Sequence, residues 1–390
     1  MFEGDVMKIL LVPDIVGWVV EDMALNLKRV LDDDFDVTIK YSDQLAAKHG
    51  KKILDWATDY NEYDILFIML PSYIPENLPD ISKVVTCFHG GPGTEGQADM
   101  LQRFGYKDMR IAYVSEQTRW RVMENPFTNT KKEKVPLTQQ IDENWLKRTK
   151  LQLTEKDSMQ IITDPQTVRQ WVEVQVKYTR TGFGFNELYF TPHGVDVEMF
   201  KQKRLNQDFI CGYAGWANYL LGAQDEHRRG RWIMEAWKKL KNVKFNLAVG
   251  LKEHDHNNLK KFNAAWANPL VRAGLWEHKD MPSYYTQIST YLVPDARAGG
   301  PVPVLEAGAM GIPVVCSKAG LCGDMIEDNV HGKVIEEGPH TFERFVDAIR
   351  WMQSHNQKRE KMGKNLREYI YKNRRWEDVK EYWVKFLLGK

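Results

Sequence analysis

The chain has few groups that could staple it, anchor it or give it a one-signed field. Its 390 residues hold four cysteines, Cys87, Cys211, Cys316 and Cys322, with no Cys-x-x-Cys spacing and the first three inside apolar strand-like runs. A disulfide scaffold is thereby excluded, and reduced core thiols of a cytoplasmic protein are expected. Neither charge sign dominates, with 54 basic residues against 53 acidic ones, so no global field recruits nucleic acid or a membrane surface. No apolar run is long enough to span a bilayer, and Asp14 breaks the longest N-terminal candidate, which leaves only peripheral membrane contact open. The acidic start (Glu3, Asp5) lacks a cationic segment and a cleavage signature, which argues against a signal peptide. Solenoid-length repeats and low-complexity tracts are absent too. Finally, the first strand-to-helix turn, Pro13-Asp14-Ile15-Val16-Gly17-Trp18, holds one glycine where a dinucleotide fingerprint holds three.

What is present is a globular composition, 43% hydrophobic with 13 tryptophans, and enough length for two cores. Strand and helix patterns alternate from the start: a strand at about 7–12, a helix at about 19–31, strands at about 37–41 and 65–70, and a helix at about 46–60 between them. The strand at 84–89 ends in His89-Gly90-Gly91-Pro92-Gly93, at the edge where open parallel sheets bind ligands. There His89 could donate to a hydroxyl or phosphate, or act as a base near neutral pH. Further strands are expected at about 111–115, 159–163 and 187–191. The polar stretch 124–156 reads as an insertion, either a mobile loop or a solvated surface loop. After a polar linker at about 201–208 the alternation begins again, with strands at about 209–213 and 245–249 around a helix at about 231–241. The tract Lys252-Glu253-His254-Asp255-His256 reads as a solvated loop, not a metal site. Three helical patterns close the chain, the last placing Val379, Tyr382, Trp383 and Phe386 on one face.

Tyr291 to Val315 organises the second half: a short strand, the turn Ala298-Gly299-Gly300-Pro301, a helix at about 302–310 stopped by Gly311, and a second strand. The two glycines permit close backbone approach, and the helix points its N–H groups and positive end at the same spot, a place suited to a phosphate or a sugar edge. Pro301 and Pro303 carry no N–H, so the expected donors are Gly299, Gly300, Val302 and Val304. Glu306, a turn further in, could accept hydrogen bonds from ligand hydroxyls. Read blandly, the glycines form a tight turn and Glu306 is a solvated helix residue.

The run Leu305-Glu306-Ala307-Gly308-Ala309-Met310-Gly311-Ile312-Pro313-Val314-Val315, with Ala319-Gly320 after it, resembles the donor-site segment of glycosyltransferase family 4 and related retaining GT-B glycosyltransferases. Pro192-His193-Gly194-Val195-Asp196 resembles the family's Pro-Asn-Gly-Val-Asp exit from the first domain. The likeness implies an α/β GT-B architecture: two Rossmann-like, doubly wound domains facing across a cleft. Residues 1–198 would form the acceptor-side domain, 209–372 the nucleotide-sugar domain, and 373–390 a helix crossing back to the first. By the same resemblance His89, Arg229 and Glu306 would be catalytic. Gly17, Arg228, Gly299, Gly300, Pro301, Val302 and Glu306 would bind a nucleotide-diphosphate-sugar, the substrate, with no cofactor and no metal. Arg228 and Arg229 compete for the place of the family's diphosphate lysine. The acceptor would be a glycan, a lipid-linked hydroxyl or another hydroxyl, and the transfer would retain anomeric configuration.

Two departures bear on activity. Ala298 stands where the family has its first donor-site glutamate, and Gly215-Trp216 where it has an arginine. A non-catalytic relative that binds a nucleotide sugar or glycan, or that partners an active transferase, is therefore the alternative. An epimerase or phosphorylase of the same architecture is a third reading, and no lysine is placed for a phosphorylase's pyridoxal cofactor.

Overall fold

The computed structural model describes residues 6–14, 16, 19–90, 93–124, 127–136, 152–153, 160–163, 170–180, 182–201, 208–222, 225–249, 257, 260 and 271–390. Its first half contains β1 (Lys8–Val12), α1 (Val19–Leu31), β2 (Asp36–Ile39), β3 (Ile65–Ile68), β4 (Val84–Phe88), α2 (Thr94–Arg103), β5 (Ile111–Tyr113) and α3 (Glu116–Met123). Four strands then leave the main sheet, β6 (Phe127–Pro136), β7 (Gln152–Leu153), β8 (Gln160–Thr163) and β9 (Gln170–Arg180), before β10 (Leu188–Phe190) returns to it. The second half contains β11 (Ile210–Gly215), α4 (Asp225–Arg228), α5 (Gly230–Lys239), β12 (Lys244–Val249), β13 (Val271–Leu275), α6 (Met281–Tyr285), β14 (Thr290–Val293), α7 (Pro303–Ala309), β15 (Val314–Ser317) and β16 (Gly332–Ile335). Near the end come α8 (Asn356–Asn373) and α9 (Trp376–Leu388).

These strands build two six-stranded parallel sheets, ordered β10-β5-β4-β3-β1-β2 and β13-β12-β11-β14-β15-β16. Register follows the apolar runs: Ile9 faces both Val37 and Ile65, and Leu292 faces Val315. Strands buried on both faces have no polar side to offer water, which is why β3 reads Ile-Leu-Phe-Ile and is wholly buried. This is the doubly wound, two-domain α/β architecture that the resemblance implied.

Helix α9 lies on the first sheet although it ends the chain. Trp376, Val379, Trp383, Phe386 and Leu387 enter one apolar cluster with Ile9, Leu11 and Phe67. Trp383 Nε1 donates to the Pro192 carbonyl at 3.1 Å, and Val195 N–H donates to the Arg374 carbonyl at 2.8 Å. Tyr382, expected on the buried face, is 48% exposed and meets Phe190 edge-on.

Two expectations are corrected. The helix expected at about 46–60 is a 3₁₀ turn (Gln44–His49) and a separate α-helix (Trp56–Glu62). Gly50 ends the first at φ +70°, and Asp55 caps the second by accepting from Ala57 N–H. The polar stretch 124–156, read as a loop, contains β6 and β7, and β6 pairs antiparallel with β9 from Phe127↔Arg180 to Pro136↔Trp171. Since β8 also pairs with β9, the strand expected at 159–163 lies outside the main sheet, whereas β5, expected at 111–115, belongs to it. The linker at 202–207 and the tract 252–256 lie outside the described residues. No described helix is long and apolar enough to cross a membrane.

Candidate active site

The carboxyl ends of both sheets point into the space between the domains, the edge where open parallel sheets hold ligands. A cavity of about 440 Å³ lies there, within the range of small-molecule sites. From the first domain α1 contributes Glu21, Asp22 and Leu25, and from the second come Trp216, Trp276, His278, Val302 and Glu306, among others. Among the described residues its titratable lining consists of three carboxylates and the His278 imidazole, with no lysine or arginine.

Glu306, in the first turn of α7, is 4% exposed and held by two donors. Tyr285 Oη–H donates to Oε2 at 2.6 Å, and His278 Nε2 lies 2.9 Å from Oε1. His278 Nδ1 lies 3.6 Å from Asp22 Oδ1 on α1, so a chain of titratable groups crosses from one domain to the other. Burial pulls the His278 pKa down, but its hydrogen bond to Glu306 and the charges of Glu306, Asp22 and Asp196 outweigh that and lift it to about 9. Burial lifts Asp22 to about 6 against the opposing charge of His278.

The Gly299-Gly300 turn faces protein. A Cβ on Gly299 would fall 1.5 Å from the His89 carbonyl oxygen, and one on Gly90 2.4 Å from Gly299 Cα. A Cβ on Gly300 would lie 2.7 Å from His193 Cδ2. Here the glycines bring two domains together, backbone against backbone. The donor set is also smaller than expected: Val302 N–H is taken by the Gly300 carbonyl and Val304 N–H by that of Pro301, each at 2.8 Å.

His89 donates through Nε2 to the Met69 carbonyl at 2.8 Å, and its ring centroid is 6.1 Å from that of His193. Burial pulls His89 to about 4 and His193 to about 3. His89 is thus a neutral hydrogen-bonding group at physiological pH, which corrects the expectation of a base near pH 7: its proton affinity is too low for that task.

The two arginines part company. Arg228 bonds buried Asp295 at 3.1 Å, beside the segment leading into the glycine turn. Arg229, in a left-handed conformation at φ +48°, turns to Glu337 in a bidentate pair (2.6 and 2.9 Å) and stacks on Trp232. Gly17 lies outside the described residues. Pro301 is half-buried beside the turn. Ala298, at the place of the family's first glutamate, is buried, and Trp216, at the place of its arginine, stacks on Tyr219 with planes 13° apart and lines the cavity.

Hydrogen bonds from α3 hold the domains together. Glu116 N–H donates to Asp324 at 3.1 Å, Gly320 N–H to Gln117 Oε1 at 2.8 Å, and Gln117 Nε2 to the Ala296 carbonyl at 3.3 Å. Among the described residues no cluster of three or more His, Cys, Asp or Glu could hold a metal ion. Sequence reasoning missed Asp22, His278 and Tyr285. Asp22 looks like any acidic residue of a helix first turn, and no local spacing links it to a histidine 256 positions later.

Residues 232–369 match the family model of glycosyl transferases group 1. No curated protein matches the chain. Among solved structures, HepE of Anabaena in complex with UDP-glucose shares 12% identity at a TM-score of 0.64, over 98% of this chain and all of its own. A sucrose-phosphate synthase from Thermosynechococcus elongatus shares 12% at a TM-score of 0.64, over 98% of each chain. A glycosyltransferase from Rickettsia africae shares 13% at 0.63, over 99% of each. The chain thus carries a segment similar to glycosyl transferases group 1 in its second half and shares the two-domain GT-B fold of these structures along nearly its whole length.

Proposed function

We propose that the protein transfers a sugar from a nucleotide-diphosphate-sugar to an acceptor hydroxyl, with retention at the anomeric carbon and without a metal or other cofactor. The observation that carries this reading is the placement of Glu306: it lies inside the group 1 match, in the first turn of α7, and lines a cavity that both domains close. A carboxylate held by two donors still has lone pairs for a pair of ribose hydroxyls. HepE, which shares the fold, was solved with UDP-glucose, which favours this class of ligand.

In this reading residues 1–198 are the acceptor-side domain, 209–372 the donor domain and 373–390 the returning helix. The nucleoside would lie against Trp276 and Glu306 and the diphosphate towards Gly300, with Arg228 the nearer of the two arginines to that turn. Catalysis would come from stabilising the departing diphosphate and from holding the acceptor in line as the domains close, with no protein nucleophile. The acceptor would be a glycan, a lipid-linked hydroxyl or another hydroxyl.

One observation favours a second reading, a non-catalytic relative that binds a nucleotide sugar or glycan: Ala298 and Trp216 replace two polar family residues, and the lining has no lysine or arginine among the described residues. A thermal-shift screen of UDP, GDP, ADP, CMP and their sugar conjugates, followed by donor hydrolysis, separates the two. Stabilisation that weakens in Glu306→Ala, with slow hydrolysis, supports the transferase. Saturable binding without turnover in the presence of candidate acceptors supports the binder, and no stabilisation by any nucleotide overturns both donor-site readings.

A further inference from the structure

The Asp22, His278 and Glu306 side chains form an array that donor chemistry alone does not require. Tyr285 and His278 each occupy one oxygen of Glu306, which fixes the plane of the carboxylate and leaves further lone pairs directed at the cavity. The second nitrogen of His278 lies at ion-pair distance, 3.6 Å, from Asp22, a residue of the opposite domain that lines the same cavity. We infer that His278 is a positioning residue that orients Glu306 toward a vicinal diol of the ligand and, through Asp22, couples that orientation to closure of the cleft. The diol part rests on the donor-site reading of Glu306.

The surroundings of His278 are acidic from every side. From α1 come Asp22 and Glu21, from α7 Glu306, and from the loop after β10 Asp196, whose charge also raises the His278 pKa. Tyr285 of α6 shares Glu306, and the Phe200 ring packs 5.8 Å from the imidazole. Its own segment adds Glu277, Lys279 and Asp280, with Lys279 paired to Glu277. Glu21 is offset by Lys51 at 3.2 Å and accepts from the Tyr41 hydroxyl, and Asp196 accepts from the Glu198 and Met199 N–H groups, so Asp22 and Glu306 are the acids at ion-pair distance from the imidazole. With Asp22 ionised above about 6 and His278 protonated below about 9, the tie is complete between those values.

The test begins without ligand. NMR of histidine-labelled full-length protein should show His278 titrating near 9, and lower in Asp22→Asn and in Glu306→Gln. Small-angle scattering at pH 7.5 should show a wider cleft in Asp22→Asn and in His278→Gln than in the wild type. A His278 that titrates at its ordinary value of about 6.5, or scattering identical in all three proteins, overturns the coupling. With whichever of UDP, GDP and ADP binds best, His278→Gln should weaken binding about tenfold, the scale of one charge-assisted hydrogen bond. It should also abolish the preference for the ribonucleotide over its 2′-deoxy counterpart. Unchanged affinity and preference overturn the positioning role. If no nucleotide binds the wild type, the donor-site reading and the diol part fail together, while titration and scattering still decide the tie to Asp22.

Discussion

Gly299 and His89 lie so close that a single methyl cannot be added between them: a Cβ on Gly299 would fall 1.5 Å from the His89 carbonyl oxygen. The oxygen is a backbone atom and the added Cβ is fixed by the backbone of the opposite domain, so the strain cannot be absorbed by a side chain turning aside. Gly299→Ala should hold the cleft open while leaving each domain folded. In a reaction that depends on closure, a displacement of about 1 Å costs on the order of a hundredfold in rate. Steady-state turnover beside a thermal melt checks this: activity should fall about a hundredfold with little change in Tm. A fully active Gly299→Ala would mean that closure does not use this contact.

The same seam is braced by a buried ion pair. Arg121 and Glu95 meet through two bonds, 2.8 and 2.6 Å, with side chains 4% and 10% exposed, and Arg121 also donates to the Gly90 carbonyl at 2.5 Å. Removing one partner leaves the other charge stranded, at a cost of about 3–5 kcal/mol. Arg121→Met should therefore lower unfolding stability in urea by about that amount, and Glu95→Gln by less. Burial raises the Glu95 pKa, but Arg121 outweighs it and holds the carboxyl below its ordinary value. A depressed pKa gives stability that is present above the unfolded value and lost as pH falls through the folded one. Acid titration of the wild type should lose this increment below about pH 4.3, and the Arg121→Met variant should have none to lose.

His278 acts with the opposite sign. Its folded pKa, about 9, lies above its ordinary value of about 6.5. The stability it contributes is present in full below about 6.5 and fades as pH rises to 9. The side chain is 39% exposed, so solvent screens the pairing and the effect on Tm is modest. A melt series from pH 6.5 to 9.5 should show a downward slope that flattens in His278→Gln. Equal slopes would remove His278 from the pH response.

Trp383 joins the end of the chain to its beginning. It is fully buried against the first sheet and spends its N–H on Pro192. Trp383→Ala should cost about 3–5 kcal/mol, the range for a large aromatic removed from a core. Denaturant unfolding followed on the first-domain signal should record it. A loss below about 1 kcal/mol would mean that α9 is peeled away in solution.

The two sheets were legible because strands buried on both faces are written as nearly continuous apolar runs, as in Ile65 to Ile68 and, with Thr86 the one polar residue, Val84 to Phe88. Helix α7 was legible because Gly311 and Pro313 punctuate its end and Gly299-Gly300 its approach. The inserted sheet was not, because β6 carries Thr128, Lys131, Lys132, Glu133 and Lys134 and reads as solvated charge. The signal lay in β9, where Val172, Val174, Val176 and Tyr178 alternate with polar residues at the period of a strand. At the site, Glu306 could be read from its helix, but its partners could not. Tyr285 resembles a core tyrosine and Asp22 an ordinary first-turn acid, and only the fold brings Tyr285 and His278 onto the Glu306 carboxylate and Asp22 beside His278.

Trp216 offers the sharpest test of what the cavity accepts. It stands where an arginine serves the diphosphate in the family that this chain resembles, and it leaves the described lining with three carboxylates against the single imidazole of His278. A diphosphate drawn towards such a surface meets repulsion that ribose and base do not. Introducing a guanidinium there supplies two parallel N–H donors to phosphate oxygens, an interaction of about 1.5–3 kcal/mol. Trp216→Arg should therefore tighten binding of a nucleoside diphosphate by about tenfold or more and leave binding of the matching nucleoside unchanged. Calorimetry with both ligands distinguishes the outcomes. Equal gains for nucleoside and diphosphate would show that Trp216 had only been obstructing the slot, and a loss for both would make its stacked ring part of the binding surface for the base.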